Sequence, residues 1–232
     1  MKVLALGAHP SDLVHLCGGT LAKYAVAGHQ VTLVALCAGD SAFAAFSPEL
    51  EAARVKEFTQ VAAVIGAGAQ WLASPDFSLR DEPHCRLRLV ELIRRTAPDV
   101  IVTHAPEDYC RDHAVIGELA GECTMMARQP GVRTESSCLS VHPFVVHTDT
   151  VSGLGFVPEE FVDITEVMGT KRSMVKRFEL ELAAGRDNPV VEPMEWLEIA
   201  ARFRGIQCGV RYAEAFRRSH KWGRMGTWRV LP

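Results

Sequence analysis

Lys2-Val3-Leu4-Ala5-Leu6-Gly7-Ala8-His9-Pro10-Ser11-Asp12 is a short apolar run that ends abruptly in polar and ring-bearing residues. A nearly continuous apolar run of this length reads as a strand covered on both faces, the habit of parallel sheets. A secretory signal would continue into a longer apolar core and a small-residue cleavage site. The run is therefore read as a first buried strand with His9 and Asp12 at its carboxyl end.

Working outward, Gly18-Gly19-Thr20 is read as opening a helical stretch through Ala27, with Gly28 placed to end it. Residues 31–37 form a second apolar strand, followed by a loop containing Gly39-Asp40. Residues 49–65 carry apolar positions at helical spacing with Gly66 as the stop. Residues 70–72 and 99–103 read as strands, and 87–97 and 112–127 as helices. Strand and helix in this alternation predict an α/β fold, a Rossmann-like and mainly parallel sheet flanked by helices. Beyond it, 144–147 and 161–164 read as short strands, and 166–182 and 192–203 as helices. No linker rich in Pro, Gly or Ser interrupts the sequence, so residues 1–232 are expected to form one domain.

Composition excludes several function classes. The chain has 232 residues, 48% hydrophobic and 23% charged, with a formal net charge of −3. A protein that coats nucleic acid would need a basic face. The basic segment Arg217-Arg218-Ser219-His220-Lys221-Trp222 is read instead as a solvated face or an oligomer contact. No apolar run reaches the ~18–20 residues of a membrane span. Seven scattered cysteines, none in a CxxC pair, suggest reduced thiols and a cytoplasmic setting. Most are expected to be small buried apolar residues. The expected partners are a small-molecule substrate and a second copy of the chain, with no nucleic acid and no membrane.

In sheets of this type, ligands bind beyond the carboxyl ends of the strands. Loops after Ala8, Cys37 and His104 should therefore share one crevice. The first carries His9 and Asp12, and the third leads into Asp112-His113 at a helix start. Two imidazoles and a carboxylate arriving at one sheet end can make a three-ligand metal site that keeps a fourth position open. The competing reading has His9 capping a turn and Asp112 capping the helix from residue 113. His104 reads as a structural histidine bonded to backbone. Strand alternation lets at most one of His142 and His147 face the crevice, and position selects His147 as a substrate contact. Asp149-Thr150 and the loop 152–156 are candidates for a specificity lid.

His9-Pro10-x-Asp12, then Gly18-Gly19-Thr20, then Asp112-His113 resembles the LmbE/PIG-L superfamily of zinc-dependent de-N-acetylases of N-acetylated sugars and sugar conjugates. The likeness continues in Arg54-x-x-Glu57, Pro75-Asp76, Phe161-Val162-Asp163-Ile164-Thr165 and Gly209-Val210-Arg211-Tyr212-Ala213-Glu214-Ala215-Phe216. It implies zinc, or another divalent metal, on His9, Asp12 and His113, with Arg54 contacting substrate. It also implies an aspartate base at position 11 and a helper histidine at position 110, oriented by Asp112. This chain carries Ser11 and Cys110 there. A serine hydroxyl has no pKa near neutrality and cannot act as a carboxylate base. Asp112 is then the best surviving ionisable group, read as an acid or base or as a partner that supports the metal site, with Ser11 and Cys110 as altered catalytic positions. Three functions remain open. The first is a metal-dependent hydrolase of a small polar N-acyl substrate. The second is a metal-dependent hydratase or lyase of a carboxylated small molecule, with Arg54 and Arg111 binding carboxylates. The third is a catalytically impaired binding homologue.

Overall fold

The structure is a computed structural model that describes residues 1–184, 192–220 and 231. Its first half follows the expected alternation: β1 (Lys2–Gly7), α1 (Asp12–Val26), β2 (Gln30–Cys37), α2 (Pro48–Ala63), β3 (Gly68–Ser74), α3 (Pro83–Thr96), β4 (Val100–Thr103) and α4 (Arg111–Ala127). Then come β5 (Phe144–Thr148), β6 (Glu160–Asp163), α5 (Met168–Val175), α6 (Glu179–Ala184), α7 (Pro193–Cys208) and β7 (Ala213–Arg218). The described residues form a seven-stranded sheet in the order β3-β2-β1-β4-β5-β7-β6. Strands β1 to β5 pair in parallel, whereas β7 runs antiparallel between β5 and β6. The chain winds outward from β1 in one direction through β2 and β3, then returns to place β4 on β1's other side. The carboxyl ends of β1 and β4 thus flank the point where strand order reverses, where open α/β sheets bind ligands.

Side chains alternate across each strand. Val3 and Ala5 join one core with Leu13 and Val14 of α1, Phe58 of α2, Met174 of α5 and Leu197 of α7. Leu4 and Leu6 face the other core, with Leu89 and Ile93 of α3 and Val115 and Ile116 of α4. Two covered faces explain why β1 reads as an apolar run instead of an alternating one.

Three expectations change. First, α1 starts at Asp12, with Ser11 at its N-cap position, so Gly18-Gly19 lies inside the helix. A Cβ on Gly19 would sit 2.7 Å from Ile164 Cγ2, so glycine is needed for close packing against the segment after β6. A buried ion pair enters at the same place. Glu214 of β7 accepts from Gly19 N–H and Thr20 N–H, and Lys171 donates to Glu214 and to the His15 carbonyl. Second, the stretch 166–182 is not one helix. It divides into a 3-10 turn (Thr165–Val167), α5 and α6, with buried Phe178 between the two helices. Third, Arg217 and Arg218 lie in β7 and pair with Glu107 and Glu160, so the basic segment is neutralised where it is described. Lys221 and Trp222 lie outside the described residues. Cys17, Cys37 and Cys123 are buried as expected, whereas Cys138 and Cys208 are exposed. Among the described residues no helix is long and apolar enough to cross a membrane.

Candidate metal centre

The β1–α1 turn sets His9 and Asp12 side by side, with His9 N–H donating to Asp12 Oδ2 at 2.7 Å. His113 comes from the first turn of α4. That helix lies hard against the loop after β4: a Cβ on Gly117 would sit 2.5 Å from the His104 carbonyl oxygen. The result is a triangle of donors at the strand-order reversal. His9 Nδ1 to Asp12 Oδ2, His9 Nδ1 to His113 Nε2, and His113 Nε2 to Asp12 Oδ2 are each 3.2 Å. Tetrahedral zinc with bonds of about 2.0–2.1 Å holds its ligands about 3.3–3.4 Å apart.

The protonation chemistry also fits a cation. Burial opposes charge on His9, but Asp12 and Asp76 outweigh it and lift its pKa to about 9. Burial likewise opposes charge on His113, and Asp12 with Asp108 lifts it to about 12. Burial would raise the Asp12 carboxyl, yet His113 and the hydrogen bonds from His104, His113 and His9 hold it well below the usual range. Two protonated rings would then bring N–H groups within 3.2 Å of each other on one carboxylate. A divalent cation on neutral rings removes that conflict, so the residues present fit the metal.

Each imidazole is held from behind. His113 Nδ1 lies 3.1 Å from Asp108 Oδ2, and Asp108 also accepts from Cys110 N–H. His9 Nε2 faces Asp112 Oδ2 at 3.4 Å. Carboxylates behind liganding histidines fix ring orientation and tautomer. Asp112 is entirely buried and also accepts from Phe77 N–H (2.6 Å) and Leu79 N–H (3.2 Å). It is neither the helix cap, since Cys110 holds that position, nor a residue of the crevice lining. Its placement is that of a positioning group for His9, the supporting role weighed beside that of acid or base. Asp108 does the same for His113.

His104 is buried; its Nε2 lies 3.0 Å from Ala8 N and 3.3 Å from Asp12 Oδ2, and its ring stacks on His113 at 3.9 Å. It is the backbone-bonded residue anticipated and also the platform under His113. The structure does not bring His147 to the crevice lining: it ends β5, buried, with Nδ1 2.7 Å from the His104 carbonyl oxygen. Asp149 is buried against Arg204 instead of free in a lid. Cys110 can place its sulfur within 4.8 Å of donor atoms on His9 and His113. Burial raises its thiol, and hydrogen bonding to His113 outweighs this and brings it below the ordinary value.

Against two of the donors, His9 and Asp12, lies a crevice of about 250 Å³, lined also by Ser11, Arg54, Asp76 and Glu181. Arg54 is buried, 1% exposed. Its Nη1 meets Glu57 at 3.3 Å and its Nη2 meets Glu181 at 2.8 Å. Glu181 also accepts from the Ser11 hydroxyl at 2.5 Å. This contact between residue 11 and α6 has no local sequence signal. The only available hint is that a buried arginine requires carboxylates around it.

The family model of GlcNAc-PI de-N-acetylases, PIG-L, matches residues 4–124. The chain belongs to the PIG-L family. The match spans both loops that supply the donor triangle. Relatives divide by chemistry. A 4-oxalmesaconate hydratase of Pseudomonas putida is 26% identical over 185 residues, covering 75% of this chain and 72% of its own. A diacetylchitobiose deacetylase of Thermococcus kodakarensis is 26% identical over 230 residues, covering 93% and 82%. The structure of N,N'-diacetylchitobiose deacetylase from Pyrococcus horikoshii superposes with a TM-score of 0.81 at 28% identity, covering 94% of this chain and 83% of that one. The PIG-L fold thus carries both deacetylation and hydration among the relatives of this chain.

Proposed function

We propose that this PIG-L member is a metal-dependent hydrolase that removes an acyl group from the nitrogen of a small polar substrate of the N-acetyl sugar or sugar-conjugate class. The observation that carries this reading is the donor triangle of His9, Asp12 and His113 facing a crevice with an acidic wall. His9, Asp12 and His113 would hold zinc or another divalent ion, which would supply a Lewis acid for an acyl carbonyl and for water. The chain's own residues set the rest. Asp12, Asp76 and Glu181 line the crevice, against Arg54 and His9. Arg54 is spent on Glu57 and Glu181. Beside the metal donors, the crevice wall offers the carboxylates Asp76 and Glu181 and no unengaged cation for a substrate carboxylate.

A hydratase reading draws on Ser11 and Cys110, which replace the usual proton-transfer pair, and on the hydratase relative. It needs cations free to bind substrate carboxylates. Arg54 is engaged, and Arg111 is exposed at the start of α4. The test is to incubate the zinc-loaded full chain with N-acetylated amino sugars and sugar conjugates, following acetate release. Unsaturated dicarboxylates are followed in parallel by loss of ultraviolet absorbance. Acetate release is expected. Turnover confined to the dicarboxylates would overturn the hydrolase reading.

A further inference from the structure

We infer that Glu181 is the proton acceptor of this site, working through the Ser11 hydroxyl, so that a carboxylate from α6 does the work of the aspartate absent at position 11. This rests on the hydrolase reading and deepens it. Four observations carry it. Ser11 occupies the N-cap position of α1, directly between the two donors His9 and Asp12 in sequence, yet its hydroxyl does not cap the helix. That hydroxyl donates instead to Glu181 Oε1 at 2.5 Å. Glu181 lines the same crevice as His9 and Asp12, and its side chain is 30% exposed, so it is reachable from there. Its second oxygen is held at 2.8 Å by Arg54, itself buried and braced by Glu57.

The placement is built, not accidental. α6 is too short to be stable alone. It is fixed by buried Phe178 on one side and by Leu180 N–H donating to Glu57 Oε1 at 2.7 Å on the other. Glu57 therefore serves both partners: one oxygen orients Arg54 and the other anchors the backbone next to Glu181.

The proton path balances. A water in the crevice adds its oxygen to the acyl carbon, forming the new C–O bond as the carbonyl π pair moves onto the carbonyl oxygen. The water's proton passes to Ser11 Oγ as the existing hydroxyl proton passes to Glu181 Oε1. Serine ends unchanged and Glu181 ends as a neutral acid. The reverse transfer delivers that proton to the leaving nitrogen as the C–N bond breaks and the oxyanion pair re-forms C=O, giving the free carboxylic acid and the amine, with Glu181 again a carboxylate. A hydroxyl relay avoids the need for a serine base, which its pKa forbids.

The test uses the full zinc-loaded chain and Glu181→Gln, Ser11→Ala and Glu181→Gln/Ser11→Asp, with metal content measured throughout. Glu181→Gln should keep its metal, lose about 10²–10⁴-fold in kcat, and lose the acidic limb of the kcat/KM pH profile. Ser11→Ala should fall in the same direction. The double variant should recover part of the loss, because a carboxylate returns beside the donors. A merely structural Glu181 would change KM or stability and leave the pH profile intact. An active wild type with Glu181→Gln equally active and metal-loaded would overturn the relay. If the wild type turns over none of the N-acyl substrates, the hydrolase reading fails, and the relay is judged by the cobalt-substituted protein. Its visible spectrum should titrate with a midpoint displaced in Glu181→Gln and Ser11→Ala; an identical midpoint in all three would overturn the relay.

Discussion

Replacing Asp112 by asparagine separates orientation from proton transfer. The carboxylate is entirely buried and meets four groups: Phe77 N–H, Leu79 N–H, the His9 ring and, more distantly, the Cys37 thiol. An asparagine offers one acceptor oxygen and a donor NH2. With its oxygen toward Phe77 and His9, the NH2 points at Leu79 N–H and leaves that donor unsatisfied, at about 1–3 kcal/mol. For a chain of this size that is a fall in Tm of roughly 2–12 °C, at about 2–4 °C per kcal/mol. It should be read on chelated protein so that metal binding does not add to it. The His9 ring also loses a charged partner, which should cost about 10–100-fold in zinc affinity, roughly 1.4–2.7 kcal/mol. The assays are thermal unfolding of the chelated protein and a competition titration with a chromophoric chelator. Asp108→Asn should act in the same way through His113. Unchanged zinc affinity together with a large loss of turnover at saturating metal would refute the reasoning, because Asp112 would then be moving protons and not holding His9.

Other consequences can be checked directly. His113→Ala should lose zinc on desalting, whereas Cys110→Ala should retain it, since Asp12 and not the thiol completes the triangle; metal analysis of both decides. Zinc binding should release about two protons near pH 7.5, because His9 and His113 hold protons in the metal-free protein and must shed them. Affinity should accordingly rise with pH, and calorimetry in buffers of different ionisation enthalpy measures the release. Gly19→Ala places a Cβ 2.7 Å from Ile164 Cγ2 and should destabilise the fold by about 1–3 kcal/mol, read by denaturant unfolding.

The alternation of apolar runs and helical spacing was enough to read β1 to α4, because each of these elements buries a local pattern. The stretch 166–182 misled for the same reason: its periodicity is helical throughout, and only the burial of Phe178 between α5 and α6 shows where it breaks. β7 hid behind its arginines, whose partners Glu107 and Glu160 are remote in sequence. Gly18-Gly19 was legible as special but not as what it is. The reason for it, Ile164 and Glu214 pressed against α1, lies in the two C-terminal fragments that carried the family resemblance. At the site, strand ends and spacing gather His9, Asp12, Asp112 and His113, and the family resemblance singles out His9, Asp12 and His113 as the metal donors. Which ring each supporting carboxylate meets, Asp108 behind His113 and Asp112 behind His9, is legible only in the fold.

Moving a carboxylate from position 11 to position 181 changes what the chemistry depends on. A base at the β1–α1 turn would be fixed by the same backbone that fixes His9 and Asp12. Glu181 is fixed instead by α2, through Arg54 and through the bond from Leu180 to Glu57. It is also part of the crevice wall. The proton acceptor of the proposed relay and one wall of the crevice are therefore the same residue, and the relay depends on α2 and α6 as well as on the β1–α1 turn. An aspartate at position 11 would have no such dependence, which is a physical reason for a serine to persist there beside an intact set of metal donors.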